Sequence, residues 1–139
     1  MVTAETFKRG INKGFVTTWE LTKVVVPIYI FVTLLSYIGV LNWVAVICEP
    51  VMNLLGLPGE ASLVIVMGYA LNIYAAIGVM GTLTLTVKEV TIIAVMLLLC
   101  HSLFIETAVA RRAGMNGKVL VGIRLALSFA SGVLLNILL

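Results

Sequence analysis

The side chains best equipped for chemistry in this sequence lie in one short stretch: His101, Ser102 and Glu106, with Cys100 just before them. An imidazole, a hydroxyl and a carboxylate can exchange a proton, hold a cation or bind a polar solute. They lie in or directly after an apolar run, residues 90–105. A carboxylate near the end of an apolar helix is costly in lipid, which makes Glu106 a functional candidate. The competing reading is that Glu106 reaches the headgroup region or pairs with Arg111 or Arg112 of a neighbouring chain. On one unbroken helix its face holds Ser102, Val109 and Ala110, with no cation three or four positions away. His101 would fall on another face, because five residues turn a helix through about 500°. Cys100 and His101 make no metal motif: adjacent side chains point apart, and no second Cys/His pair exists.

A second polar group comprises Asn72 and Tyr69 with Thr82, Thr84 and Thr86. Uncharged hydrogen-bonding groups at membrane depth suit a polar neutral substrate or a dehydrated cation. Taken singly, such residues more often bond one helix to another. No catalytic set is present. The chain has no aspartate, no phosphate-binding glycine loop and no closely spaced carboxylate pair. The expectation is a protein that is not an enzyme and that holds no cofactor or metal.

The elements that would position these groups are apolar helices. Of the 139 residues, 62% are hydrophobic and only 11% charged, with a mean hydropathy of +1.20. Soluble domains carry about 25% charged residues, so the solvent implied is a bilayer. The net charge of +3 is not a nucleic-acid footprint. Lys8, Arg9, Lys13 and Lys23 precede the first apolar run, and Arg111, Arg112, Lys118 and Arg124 gather around a late turn. Cations flanking apolar runs orient membrane proteins. Cys48 and Cys100 read as small apolar side chains, not as a disulfide framework. No cleavable signal segment is visible in the first 20 residues.

Phe7, Ile11, Phe15 and Trp19 repeat every four residues between cations. That stripe predicts an amphipathic helix over 1–23, lying on the membrane surface or packed against the rest of the chain. Residues 24–139 form the transmembrane domain. Within it, residues 24–47 make an uncharged run long enough to span. Glu49-Pro50 opens a short interfacial segment that Gly56 closes. Residues 61–78 amount to about 27 Å of helix and are followed by a Gly- and Thr-rich stretch. Thr86 with Glu89 forms a capping box, so a helix starts at Val87 and continues to Arg112. Gly114 and Asn116-Gly117 supply a turn, and the last helix covers 118–138. On it Ser128, Gly132 and Asn136 form a small-residue stripe suited to close helix packing.

The cations bear on topology. Four simple crossings divide Lys and Arg five against four between the two sides, which specifies almost no orientation. If residues 61–86 enter and leave on one side as a re-entrant hairpin, the division is eight against one. The positive-inside rule favours the hairpin, with three spanning helices and the N-terminus inside. The alternative is four spanning helices inserted in both orientations as an antiparallel pair.

The stretches Leu41-Asn42-Trp43, Ile47-Cys48-Glu49-Pro50-Val51-Met52 and Leu55-Gly56-Leu57-Pro58-Gly59-Glu60-Ala61 carry a resemblance. So do His101-Ser102-Leu103-Phe104-Ile105-Glu106-Thr107 and Arg111-Arg112-Ala113-Gly114. Together they resemble the nucleoside-recognition (Gate) domain membrane proteins, the spore maturation protein B-like members above all. The resemblance implies part of a membrane permeation unit in the inner membrane, working as a homo-oligomer or with a second Gate-domain protein. It also implies a re-entrant hairpin followed by a spanning helix, as in concentrative nucleoside transporters. The Gln-Thr-Glu hairpin tip of those transporters is absent here, so the family name does not supply a substrate. The expected function is a small transport subunit for a polar small molecule or ion, with Asn72, Thr82, Thr84, His101, Ser102 and Glu106 as its binding residues. The alternative is an assembly or scaffold protein with no permeation. A dual-topology exporter ranks last, because residues 24–47 hold no acidic side chain.

Overall fold

In the computed structural model, which describes residues 4–139, every regular element is an α-helix. In chain order these are α1 (Ala4–Tyr37), α2 (Val40–Leu54), α3 (Ala61–Ala70), α4 (Ile73–Met80), α5 (Val87–Leu99), α6 (Leu103–Arg112) and α7 (Gly117–Leu138). Three stretches are long and apolar enough to cross a membrane: Glu5–Leu35, Val87–Arg112 and Gly117–Leu138. The second reaches that length only as α5 and α6 together. The protein is an all-α integral membrane protein.

Several boundaries follow from local chemistry. The Thr86 hydroxyl accepts the Glu89 N–H while the Glu89 carboxylate accepts the Thr86 N–H, and α5 starts there as expected. The Asn116 side chain caps α7 by accepting the Lys118 N–H, and Gly114 turns the chain at φ 84°, in the left-handed region that glycine enters without strain.

Several expectations are corrected. The amphipathic segment and the first apolar run form one helix, so α1 passes unbroken through the 23/24 boundary. It ends at Tyr37 instead of 47, where Gly39 takes φ 79° and starts a new helix. That helix, α2, runs through Pro50 instead of beginning there, forgoing one backbone bond. Within the stretch 61–86 read as a hairpin, residues 61–80 form two helices, α3 and α4, separated at Leu71 and Asn72. The predicted single helix from Val87 to Arg112 is α5 and α6, interrupted at residues 100–102.

The N-terminal stripe Phe7, Ile11, Phe15 and Trp19 is exposed along its length. Every residue from 5 to 20 is exposed, so this part of α1 is not packed against the rest of the chain. The core lies among α3, α4, α5 and α7, centred on Val64, Ile65, Ile92, Ile93 and Met96, with Val32 of α1 and Leu55 joining it. In lipid no hydrophobic force separates apolar helix faces from solvent, so close packing must supply the association. The small-residue stripe of α7 does this within the chain. A Cβ on Gly132 would come to 2.7 Å from Met96 Sδ and 2.8 Å from Leu55 Cδ2. Ser128 is fully buried.

α5 and α7 run antiparallel. Lys88 at the start of α5 donates to the Asn136 carbonyl (3.0 Å), and Asn136 Nδ2 donates to the Leu54 carbonyl (3.3 Å). The end of α2, the start of α5 and the end of α7 therefore meet. The α6–α7 turn with Arg111, Arg112 and Lys118 lies at the opposite end of α7, about 33 Å away for its 22 residues.

Candidate functional site

The two helix interruptions are brought together. α3 and α4 fold against each other as a short antiparallel hairpin with Leu71 and Asn72 at its tip. Gly68, one turn before the tip, has no side chain. A Cβ there would run into Leu97 of α5 and come to 3.2 Å from Ala76 Cβ of α4. The close approach lets the Ser102 N–H donate to the Gly68 carbonyl (3.0 Å). Hairpin and broken helix are thus joined backbone to backbone.

Interrupting a helix frees carbonyls that must find partners when water is scarce. At this break two of them do: Arg124 Nε donates to the Leu99 carbonyl (3.0 Å) and His101 Nδ1 to the Leu97 carbonyl (3.0 Å). Ser128 Oγ adds a bond (2.8 Å) to the Met96 carbonyl, which still accepts the Cys100 N–H (3.0 Å). The Tyr69 hydroxyl of α3 hydrogen-bonds to Ser128 in turn. Ser102 pays for the geometry with a left-handed backbone, φ 47° and ψ 40°, unusual for a residue with a side chain.

The break re-aims the ionisable groups. With Ser102 left-handed between them, His101 and Glu106 are not related by the rotation of one continuous helix. Glu106 Oε1 lies 3.2 Å from His101 Nε2, and Glu106 Oε2 pairs with Arg124 Nη1. The expectation that His101 and Glu106 occupy different faces is therefore wrong, because it assumed a continuous helix. So is the choice of Arg111 or Arg112 as the cationic partner, since Arg124 of the same chain takes that role. A neutral imidazole has one N–H. With Nδ1 donating to Leu97, Nε2 can bond to Glu106 only if the ring or the carboxyl carries a further proton. Glu106, His101 and Arg124 make an ionisable triad, partly exposed at Glu106 and nearly enclosed at Arg124.

Of the residues singled out in sequence, His101, Ser102 and Glu106 come together, with Asn72 one turn beyond Gly68 at the hairpin tip. Asn72 itself is engaged locally, its Oδ1 accepting the Ala75 N–H (2.9 Å) at the start of α4. Thr82 and Thr84 are not part of this cluster. They precede α5, whose 13 residues place them about 20 Å from its far end. Thr82 bonds to the Val79 carbonyl (2.7 Å) and Thr84 is exposed.

Arg124 had been counted only as a charge flanking an apolar run. A signal for its role does exist. With the turn centred on Met115, positions 106 and 124 are equidistant from it, so antiparallel helices place them opposite each other. Removing Arg124 from the aqueous cations lowers the hairpin arrangement's count from eight to seven, still against Lys88 alone. Among the described residues no group of three or more His, Cys, Asp or Glu could hold a metal ion.

Beside the triad, α3, α6 and α7 leave a groove of about 510 Å³, lined by Val66, Tyr69, Leu103, Phe104 and Thr107 among others, with Arg111 at its rim.

The Gate family, described as nucleoside recognition, matches residues 18–116, and the chain belongs to it. It is 44% identical over 132 residues to the uncharacterized membrane protein YvoD of Bacillus subtilis, covering 95% of this chain and 42% of that protein. It is 40% identical over 84 residues to the inner membrane protein YjiG of Escherichia coli, covering 56% of this chain and 55% of that one. The chain thus spans about half the length of the curated relatives it matches. No solved structure matches it.

Proposed function

We propose that the chain is an inner-membrane, multi-pass transport subunit whose route for a polar solute passes where the α3–α4 hairpin tip meets the α5–α6 break. The supporting observation is the break itself: unwound backbone within an apolar run, set against a helix hairpin and surrounded by His101, Ser102, Glu106 and Arg124. Discontinuous helices near the bilayer midplane are how many transporters present backbone groups to a substrate. In this reading residues 61–80 form a re-entrant hairpin, and the proton shared by His101 and Glu106 is the coupling ion. One copy leaves these elements open on one flank, so a second copy or a related Gate-domain protein completes the pathway. The chain performs no covalent chemistry.

A scaffold role would need the small-residue stripe of α7 for a partner. That stripe is already occupied by Met96, Leu55 and Leu54 of the same chain, which favours transport.

The test is uptake into proteoliposomes containing the purified protein, against a panel of nucleosides, other polar solutes and cations, with and without a pH gradient. At least one solute should enter faster than in empty vesicles, and Glu106→Gln should abolish the dependence on the gradient. Uptake equal to empty vesicles across the panel, with a membrane partner co-purifying, would establish the scaffold role instead.

A further inference from the structure

We propose that the groove between α3, α6 and α7 holds one anionic phospholipid, its acyl chain along the apolar wall and its phosphate at Arg111. The wall is built from Val66, Ala70, Leu103, Phe104 and Ala108. Val66 and Phe104 at its mouth are 58% and 74% exposed. In a membrane that mouth opens on lipid, not on water. The Tyr69 hydroxyl that reaches this region is engaged with Ser128. A polar solute would find little to bond to along the wall, whereas an acyl chain matches it. The volume of about 510 Å³ accommodates one such chain.

The rim supplies the sign of the headgroup. Arg111 and Arg112 close α6, and Lys118 lies in the first turn of α7. The ion pairs among the described residues join Glu5 to Arg9, Glu20 to Lys23, and Glu106 to His101 and Arg124. No carboxylate neutralises Arg111, Arg112 or Lys118. Three unneutralised cations at the ends of apolar helices sit at headgroup depth and define the cytoplasmic side. Anionic lipids are concentrated in that leaflet, and basic pockets between helices hold their headgroups.

Gly117 fixes where the charge is presented. Arg111 lies across the start of α7, so a Cβ at Gly117 would come to 2.5 Å from Arg111 Nε and 2.7 Å from Thr107 Cγ2. The missing side chain thus allows the guanidinium to stay at the groove rim, beside the positive end of the α7 dipole. This inference rests on the membrane placement alone. It stands or falls independently of transport.

The test is native mass spectrometry of the full-length chain released from detergent micelles doped with phosphatidylglycerol or phosphatidylcholine. A single phosphatidylglycerol adduct should be retained about fivefold over phosphatidylcholine, the preference expected for one cation at the surface. Arg111→Gln should remove the preference, and Gly117→Ala should reduce it by displacing the guanidinium. Ala108→Trp should lower adducts of both lipids by filling the groove. Lys13→Gln, on α1 and away from the groove, should leave the single adduct within about twofold. Equal retention of the two lipids by the unmodified chain, or an unchanged preference in Arg111→Gln, would overturn the proposal. So would displacement of the lipid by glycerol phosphate at equal concentration, which would make this a plain anion site. If Ala108→Trp does not fold, Val66→Trp fills the mouth from α3 and carries the same expectation.

Discussion

Two of the interruptions within apolar helix, at residues 71–72 and at 100–102, are sealed in different ways. At the α3–α4 tip the seal is local: Asn72 caps the helix that follows it, three residues away. At the α5–α6 break the seal comes from a distance. Arg124 and Ser128 reach in from α7, and the Gly68 carbonyl receives the Ser102 N–H from across the hairpin. A locally sealed turn is stable as soon as its own residues fold. A remotely sealed one exists only when the helices are packed, and it places charged groups where a locally sealed turn would place none. The second arrangement can respond to a change in packing or protonation, which is why the candidate site lies there.

The contrast predicts a graded set of losses in stability, each readable as a shift in thermal unfolding of the purified protein in detergent. The largest follows from Arg124→Leu, which strands Glu106 beside His101 and frees the Leu99 carbonyl. A fully buried pair loses about 3–5 kcal/mol when one partner is removed. Because the Glu106 side chain is 37% exposed, about 2 kcal/mol is expected here. The double change with Glu106→Leu should recover most of it; if the double variant is as unstable as the single one, the charge pairing is not what holds the break. Ser128→Ala removes the partner of the Tyr69 hydroxyl and leaves the Met96 carbonyl with the Cys100 N–H alone, and should cost about 1–2 kcal/mol. Combined with Arg124→Leu, its effect should be less than additive, since both act on one break. Asn72→Ala removes only a cap, about 1 kcal/mol, and should add independently to Ser128→Ala. The smallest effect belongs to Thr82→Val, outside both interruptions, at under about 0.5 kcal/mol. Coupling between Asn72 and Ser128 as strong as between Arg124 and Ser128 would erase the distinction between the two seals.

What could be read in advance divides along the same line. The Thr86–Glu89 capping box, the Asn116-Gly117 turn and the membrane class were legible because each depends on neighbouring residues or on bulk composition. The division of Lys and Arg pointed to a hairpin over 61–86, although its turn at Leu71 and Asn72 gave no strong local sign. The break at residues 100–102 gave none: Cys100-His101-Ser102 contains neither glycine nor proline. A uniform helical period therefore carried His101 and Glu106 onto different faces. Their true relation needed the partners that make unwinding tolerable.

Sequence alone determined the solvent, because 11% charge and 62% apolar content cannot be hidden by a chain of 139 residues in water. It also determined which residues begin α5 and α7, since caps act over three positions. Only the tertiary structure decided where α5 stops and whom Glu106 meets. A carbonyl in lipid accepts an interruption only if a donor waits for it, and here the donors are Arg124, His101 and Ser128. Two of them arrive from α7, more than twenty residues further along the chain. No local pattern at the break could record their presence.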